Sequence, residues 1–236
     1  ASLLSALATG IGEGGGMPVT VEDLAPLNGD DPHGGGFAAG FFPLVITSLL
    51  AAIALYFVVP RFGARLTGLV TFALLAGALG ATVLHSWLGV VGGEWLPVAG
   101  AVALIALAIS AAVHGLATVA GPRGIGLGVV LILLVGNALG AVAAAPELLP
   151  QPWGEFGQWL PIGAGATLLR SVAWFDGAGA AGPLWVLASW ALAGLALLGL
   201  GWLGRKPEPQ AVEPEAEAAE PEAHEAARRL GATVAA

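Results

Sequence analysis

Imidazole, carboxamide and guanidinium groups are the chemistry this chain has to offer, and they are few. His85, His114 and Asn137 lie within long apolar runs. A polar group there is costly unless paired, so it marks either a structural hydrogen bond or a functional route. Imidazole titrates near neutrality, which gives His85 and His114 the chemistry of a proton relay. A relay needs an acidic or second titratable partner, and the apolar runs hold no carboxylate. Neutral, hydrogen-bonded histidines are therefore the expectation, with Asn137 bonding across helices or lining a route. Asp30, Asp31 and His33 sit on a glycine-rich loop, but adjacent carboxylates lack the ligand spacing of a defined cation site.

Other catalytic arrangements are missing. There is no cysteine, which excludes disulfides, thiolate metal sites and cysteine nucleophiles. There is no G-x-x-x-x-G-K-[ST] loop, no H-E-x-x-H and no G-x-S-x-G. The glycine-rich stretch Gly121 to Gly128 contains Arg123 but no lysine followed by Ser or Thr, and reads as a turn. The chain is not expected to be an enzyme or to hold a cofactor or metal.

The elements that position these groups follow from composition. Of 236 residues, 57% are hydrophobic and 10% charged, which places the chain among integral membrane proteins. The net charge of −8 is misleading, because seven of the sixteen acidic residues follow Pro207. No basic surface is left for nucleic acid. Five runs are long enough to cross about 30 Å of hydrocarbon at roughly 1.5 Å per residue. They lie near Phe37 to Val59, Leu66 to Leu88, Leu96 to Ala120, Ile125 to Ala145 and Pro183 to Leu203, and none contains Asp, Glu, Lys or Arg. The expected fold is an all-α polytopic transmembrane bundle. Gly136 and Gly140 form a G-x-x-x-G, and Gly77, Gly80, Gly194, Gly199 and Gly201 add small positions for close helix packing.

Between the last two runs lies Trp159 to Gly182, WLPIGAGATLLRSVAWFDGAGAAG. Pro161 suits a first helical turn. Gly165, Leu168, Leu169, Val172 and Phe175 then share one face, with Thr167, Arg170, Ser171 and Trp174 on the other, and Asp176-Gly177 stops the helix. This predicts a short amphipathic helix lying in, or dipping into, the membrane interface. Tyr56, Trp87, Trp95, Trp153, Trp159, Trp185 and Trp202 read as interfacial anchors.

Orientation comes from the basic residues. Arg61 and Arg65 lie in the first connection, Arg123 in the third, and Arg205 and Lys206 after the last run. The positive-inside rule makes that side cytoplasmic. The N-terminus is then outside, and residues 1–36 read as the end of an extracytoplasmic region, with Val19 to Val21 as a short strand. With no signal peptide visible, an outside start implies an earlier span and external domain in a longer parent. Residues 205–236, rich in Pro and Glu, read as an acidic disordered cytoplasmic tail with a transient helix over Glu222 to Leu230.

Two segments, PVTVEDLAPLNGDDPHGGGFAAGFFPLVI at Pro18 to Ile46 and QWLPIGAGATLLRSVAWFDGAG at Gln158 to Gly179, carry a family resemblance. With the order of parts, the chain resembles the C-terminal half of a bacterial ABC transporter permease of the type-two exporter class, in the branch of the phage infection protein. The resemblance implies a multi-pass subunit of the bacterial plasma membrane, working as a homo- or heterodimer with a separate nucleotide-binding ATPase. That partner, not this chain, would bind ATP. The resemblance also implies an ATPase-coupling loop at Pro60 to Leu66, with Arg61, Phe62 and Arg65 as contacts. It implies an external re-entrant helix at Trp159 to Gly182 beside the exit path, carrying Trp159, Leu168, Arg170, Trp174 and Asp176. Arg170 would contact an anionic headgroup or pair with Asp176. The expected substrate class for such an exporter is amphipathic or lipid-like. A non-transporting anchor or receptor for an external domain is the alternative, and a proton-coupled transporter using His85, His114 and Asn137 is a third.

Overall fold

Long apolar stretches with no water to bond must satisfy their backbone groups internally, and this chain does so with helices alone among the described residues. The computed structural model describes residues 7–8, 10–11, 31 and 35–204. Five helices are long and apolar enough to cross a membrane: α1 (Gly35–Val58), α2 (Phe62–Trp87), α3 (Trp95–Ala120), α4 (Pro122–Leu139) and α7 (Ala181–Leu203). Two short ones, α5 (Trp153–Gly157) and α6 (Pro161–Trp174), lie between α4 and α7. The chain is an all-α polytopic transmembrane bundle. The expected strand at Val19 to Val21, most of the loop with Asp30 and His33, and the acidic tail lie outside the described residues.

The α3 helix is the axis of the bundle: 67% of its apolar stretch is buried inside the protein, against 22–28% for the other four spans. Small residues let its neighbours close on it. A side chain at Gly77 of α2 would meet the Ala99 carbonyl and Ala103, and one at Gly194 of α7 would meet the backbone of Ala111. Gly115 faces Gly194 in turn, so α3 and α7 touch backbone to backbone.

Two spans begin earlier than their hydropathy predicts, at Phe62 and Pro122, which puts Arg65 and Arg123 inside helical first turns. The fourth also ends early. The run to Ala145 stays apolar, but the helix stops at Leu139 and Ala141 takes a left-handed φ of 48°. Two stretches widen into π-helix, Thr82–Trp87 at the end of α2 and Val130–Gly136 within α4. At the start of α1, the Asp31 carboxylate accepts the backbone N–H groups of Gly35 and Gly36, at 3.0 and 2.7 Å. It thereby satisfies two of the donors that a helix N-terminus leaves open.

Alternating helix directions give the bundle two ends. At one, Tyr56, Arg65, Gly121 and the Phe62 and Trp202 ring pair come together. At the other, Gly36 meets Val90, Gly92 and Gly93 meet the Ala173 and Val172 carbonyls, and Phe37 meets Trp174. The basic connections belong to the first end and the candidate site to the second.

Candidate functional site

The chain turns back into the bundle after α4. From Gly140 it runs through irregular structure and a 3-10 turn at Pro146–Leu148 to α5 and then α6. The carbonyl of Trp159 accepts a hydrogen bond of 2.8 Å from the Trp190 indole. Trp190 is the tenth residue of α7, about 14 Å from its start at roughly 1.5 Å per residue. About one turn into α6, Gly165 packs against Phe41 and Ile105, and Ile105 lies near the middle of α3. By Val172 and Ala173 the helix has reached Gly92 and Gly93, at the end of the bundle. So α6 starts at mid-depth and leads outward, which is the geometry of a re-entrant helix.

This α6 does not lie in the interface, as one reading of its two-faced pattern predicts. No residue from Pro161 to Trp174 is exposed. One face meets α1 and α3 through Gly165, with Leu168 and Leu169 buried in the same core. The polar face meets the chain on either side of the helix and α1: Thr167 donates to Gln158 Oε1 at 2.6 Å, Ser171 Oγ donates to the Ala178 carbonyl, and Trp174 packs edge-on to Phe37 at 5.6 Å. The G-x-x-x-G of α4 also finds its partner here, since Gly136 and Gly140 both press on Ile162. After Trp174, Asp176 (φ 49°) and Gly177 (φ 79°) turn the chain away, with Gly177 N–H bonded to the Ser171 carbonyl at 2.9 Å.

Arg170 anchors the segment. Its Nη2 donates to the carbonyls of Ala141, Val142 and Ala144, and its guanidinium lies 5.2 Å from the Phe37 ring centroid. Those carbonyls belong to the irregular stretch that follows α4, which makes few backbone hydrogen bonds of its own. Beside Arg170 opens a mostly apolar cleft of about 700 Å³, in which Glu147, Gln151, Glu155, Gln158, Thr167 and Ser171 stand among Phe175, Pro146 and several alanines. Of the predicted re-entrant residues, Arg170 lines this cleft, Leu168 is buried in the bundle core and Trp159 is exposed on the outer surface. Asp176 is exposed, and Arg170 is engaged with carbonyls rather than with it. The sequence reading did not single out Glu147, Gln151, Glu155 and Gln158. Their signal is a polar series interleaved with Trp153, Phe156 and Trp159, too short to stand out among apolar runs.

The residues of the predicted coupling loop separate. Arg65 is buried, donating from Nε to the Val59 carbonyl at 2.6 Å and from Nη2 to that of Tyr56 at 3.0 Å, with its guanidinium 5.4 Å from the Tyr56 ring. It closes the C-terminal carbonyls of α1, where a cation is also favoured by the helix dipole. Phe62 stacks on Trp202 at 5.2 Å. Arg61 is exposed.

The intramembrane polar groups also stand apart. His114 is wholly buried, its Nδ1 3.0 Å from the Ala52 carbonyl and its ring edge-on to Tyr56 at 6.2 Å, while its Nε2 is enclosed without a partner. His85 places Nδ1 3.0 Å from the Val91 carbonyl and so ties the π-helical end of α2 to the following loop. Asn137 faces outward on α4. The three do not converge, and among the described residues no three His, Cys, Asp or Glu side chains gather to hold a metal.

Compared with family models, curated proteins and solved structures, this chain matches none.

Proposed function

We propose that this chain is the transmembrane part of an exporter in the bacterial plasma membrane, moving an amphipathic or lipid-like substrate with energy from a separate ATPase. The observation that carries the reading is the re-entrant helix α6 at the heart of the bundle, with an amphipathic cleft opening beside it. An irregular backbone at membrane depth is tolerated where protein buries it or where it lines a cavity, and here it does both. The basic residues Arg61, Arg65 and Arg123 favour a cytoplasmic position for the first and third connections, so that the cleft faces outward. Transport then proceeds by alternating exposure, α6 shifting against α3 and α4 on small residues such as Gly163, Ala164 and Gly165. A second copy of the chain or a related subunit completes the path.

One observation favours the second reading, a non-transporting anchor or receptor. The connections at the basic end are only Val59 to Arg61 and Gly121, with Arg65 turned inward, which leaves Arg61 as the exposed charge of the first turn. The two readings separate in one experiment. The exporter, purified alone, has no ATPase activity but copurifies with an ATPase or changes its rate, and vesicles holding both lose an amphiphile on ATP addition. If no ATPase associates and no amphiphile moves, the anchor reading replaces it.

A further inference from the structure

The cleft has charges of both signs that the protein does not pair with each other. Arg170 makes all three of its hydrogen bonds through Nη2. Its Nε and Nη1 have no partner, and neither is enclosed. A half-buried guanidinium bonded only to neutral carbonyls keeps its full charge to offer, and an anion beside it is favoured in surroundings of low dielectric. Glu147 is near enough to act on Arg170 electrostatically, yet no ion pair joins them. Glu155 lines the same cleft, and its side chain makes no hydrogen bond in the structure. A ligand with negative charge alone would satisfy Arg170 and be repelled by two carboxylates. One with an anion and a cation a few bonds apart would complement all three.

The wall of the cleft shows where the rest of such a ligand lies. Gln151, Glu155 and Gln158 face the cleft, whereas Trp153, Phe156 and Trp159, on the same short segment, are exposed on the outside of the bundle. This short segment thus turns its polar side chains to an open, mostly apolar cleft and its aromatic ones to the outside of the bundle. The volume, about 700 Å³, suits a headgroup with its glycerol and not a whole two-chain lipid.

We propose that this cleft binds the headgroup of a zwitterionic aminophospholipid, its phosphodiester against Arg170 and its ammonium toward Glu147 and Glu155, with the acyl part passing over the Trp153 to Trp159 wall. The proposal rests on the export reading for what happens to the lipid after binding, and names the substrate class of that same site.

The test is equilibrium binding to the full chain in maltoside micelles. Lysophosphatidylethanolamine is compared with lysophosphatidylglycerol of the same acyl chain and with glycerophosphoethanolamine, which has no chain. The wild-type protein is expected to prefer the ethanolamine lysolipid by about tenfold, of the order of one well-placed charge interaction. Arg170→Gln weakens binding of both lysolipids. Glu155→Gln, which removes no internal hydrogen bond and so preserves the fold, reduces the preference to about threefold or less. Equal affinity of wild type for the two lysolipids, or a preference unchanged in Glu155→Gln, overturns the proposal. Glycerophosphoethanolamine binding as tightly as the lysolipid retains the phosphodiester and ammonium chemistry and makes the source a soluble compound, overturning the lipid assignment. Failure of the export reading looks different: selective binding persists while no amphiphile leaves ATP-energised vesicles.

Discussion

The indole N–H of Trp190 reaches the carbonyl oxygen of Trp159 at 2.8 Å, tying the returning chain just ahead of α6 to the middle of α7. In an apolar setting that carbonyl has no water to fall back on, so the bond fixes how deep the segment sits. Trp190→Phe keeps the ring and removes the donor. It is expected to cost about 1 kcal/mol in unfolding by SDS in mixed micelles, and to speed hydrogen exchange from Trp159 through Ala164 while α3 stays protected.

The two glycines Gly194 and Gly199 lie on one helix and should respond oppositely to the same change. A methyl at Gly194 would meet the Ala111 backbone, whereas nothing lies within 4 Å of one at Gly199. Gly194→Ala is expected to destabilise by roughly 1–3 kcal/mol, because neither backbone can yield. Gly199→Ala should fall between neutral and about 1 kcal/mol stabilising through helix propensity. Unfolding in mixed micelles reads both, and equal effects would mean that α3 and α7 are not in backbone contact.

Arg61 and Arg65 are expected to divide structure from partner contact. Arg65→Gln removes donors from the Tyr56 and Val59 carbonyls and should cost about 2–4 kcal/mol of stability. Arg61→Gln, at an exposed position, should change stability by no more than about 0.5 kcal/mol. If an ATPase partner docks at this turn, its stimulation responds to Arg61→Gln at unchanged thermal stability.

Ile162 holds α6 to α4 through Gly136 and Gly140. Ile162→Ala should cost about 2–4 kcal/mol, as for other buried large-to-small changes. It should also free the Pro146 to Leu160 segment, seen as faster proteolysis there than between α2 and α3.

Much of this architecture is legible in the sequence, and the parts that are not share one cause. Hydropathy over long windows finds the five spans, because a helix crossing hydrocarbon needs little beyond length and apolarity. It misplaces the end of α4, since Gly140 to Ala145 is as apolar as the helix before it. The helix ends at its cap residue Gly140, ahead of Pro146, which has no N–H for the Val142 carbonyl, and Arg170, almost thirty residues on, takes the carbonyls of Ala141, Val142 and Ala144 instead. The two-faced pattern of α6 is present, but periodicity cannot say what covers the polar face. Gln158, the Ala178 carbonyl and Phe37 engage Thr167, Ser171 and Trp174, and what remains of the face lines the cleft. In the same way Arg65 reads as a free loop charge until the helix start at Phe62 turns it onto the end of α1.

The central claim, that Gly140 to Ala180 enters the bundle and leaves by the end at which it entered, has a direct measurement. The chain has no cysteine, so single cysteines report without background. Glu147→Cys and Ala178→Cys flank the segment, Ala164→Cys lies within it, and Arg61→Cys marks the opposite end. With a membrane-impermeant maleimide applied to one face of sealed membranes, Glu147→Cys and Ala178→Cys label together, Arg61→Cys labels only from the other face, and Ala164→Cys stays protected until the protein is unfolded. Labelling of Glu147→Cys and Ala178→Cys from opposite faces, or ready labelling of Ala164→Cys in the folded protein, would contradict the re-entrant account.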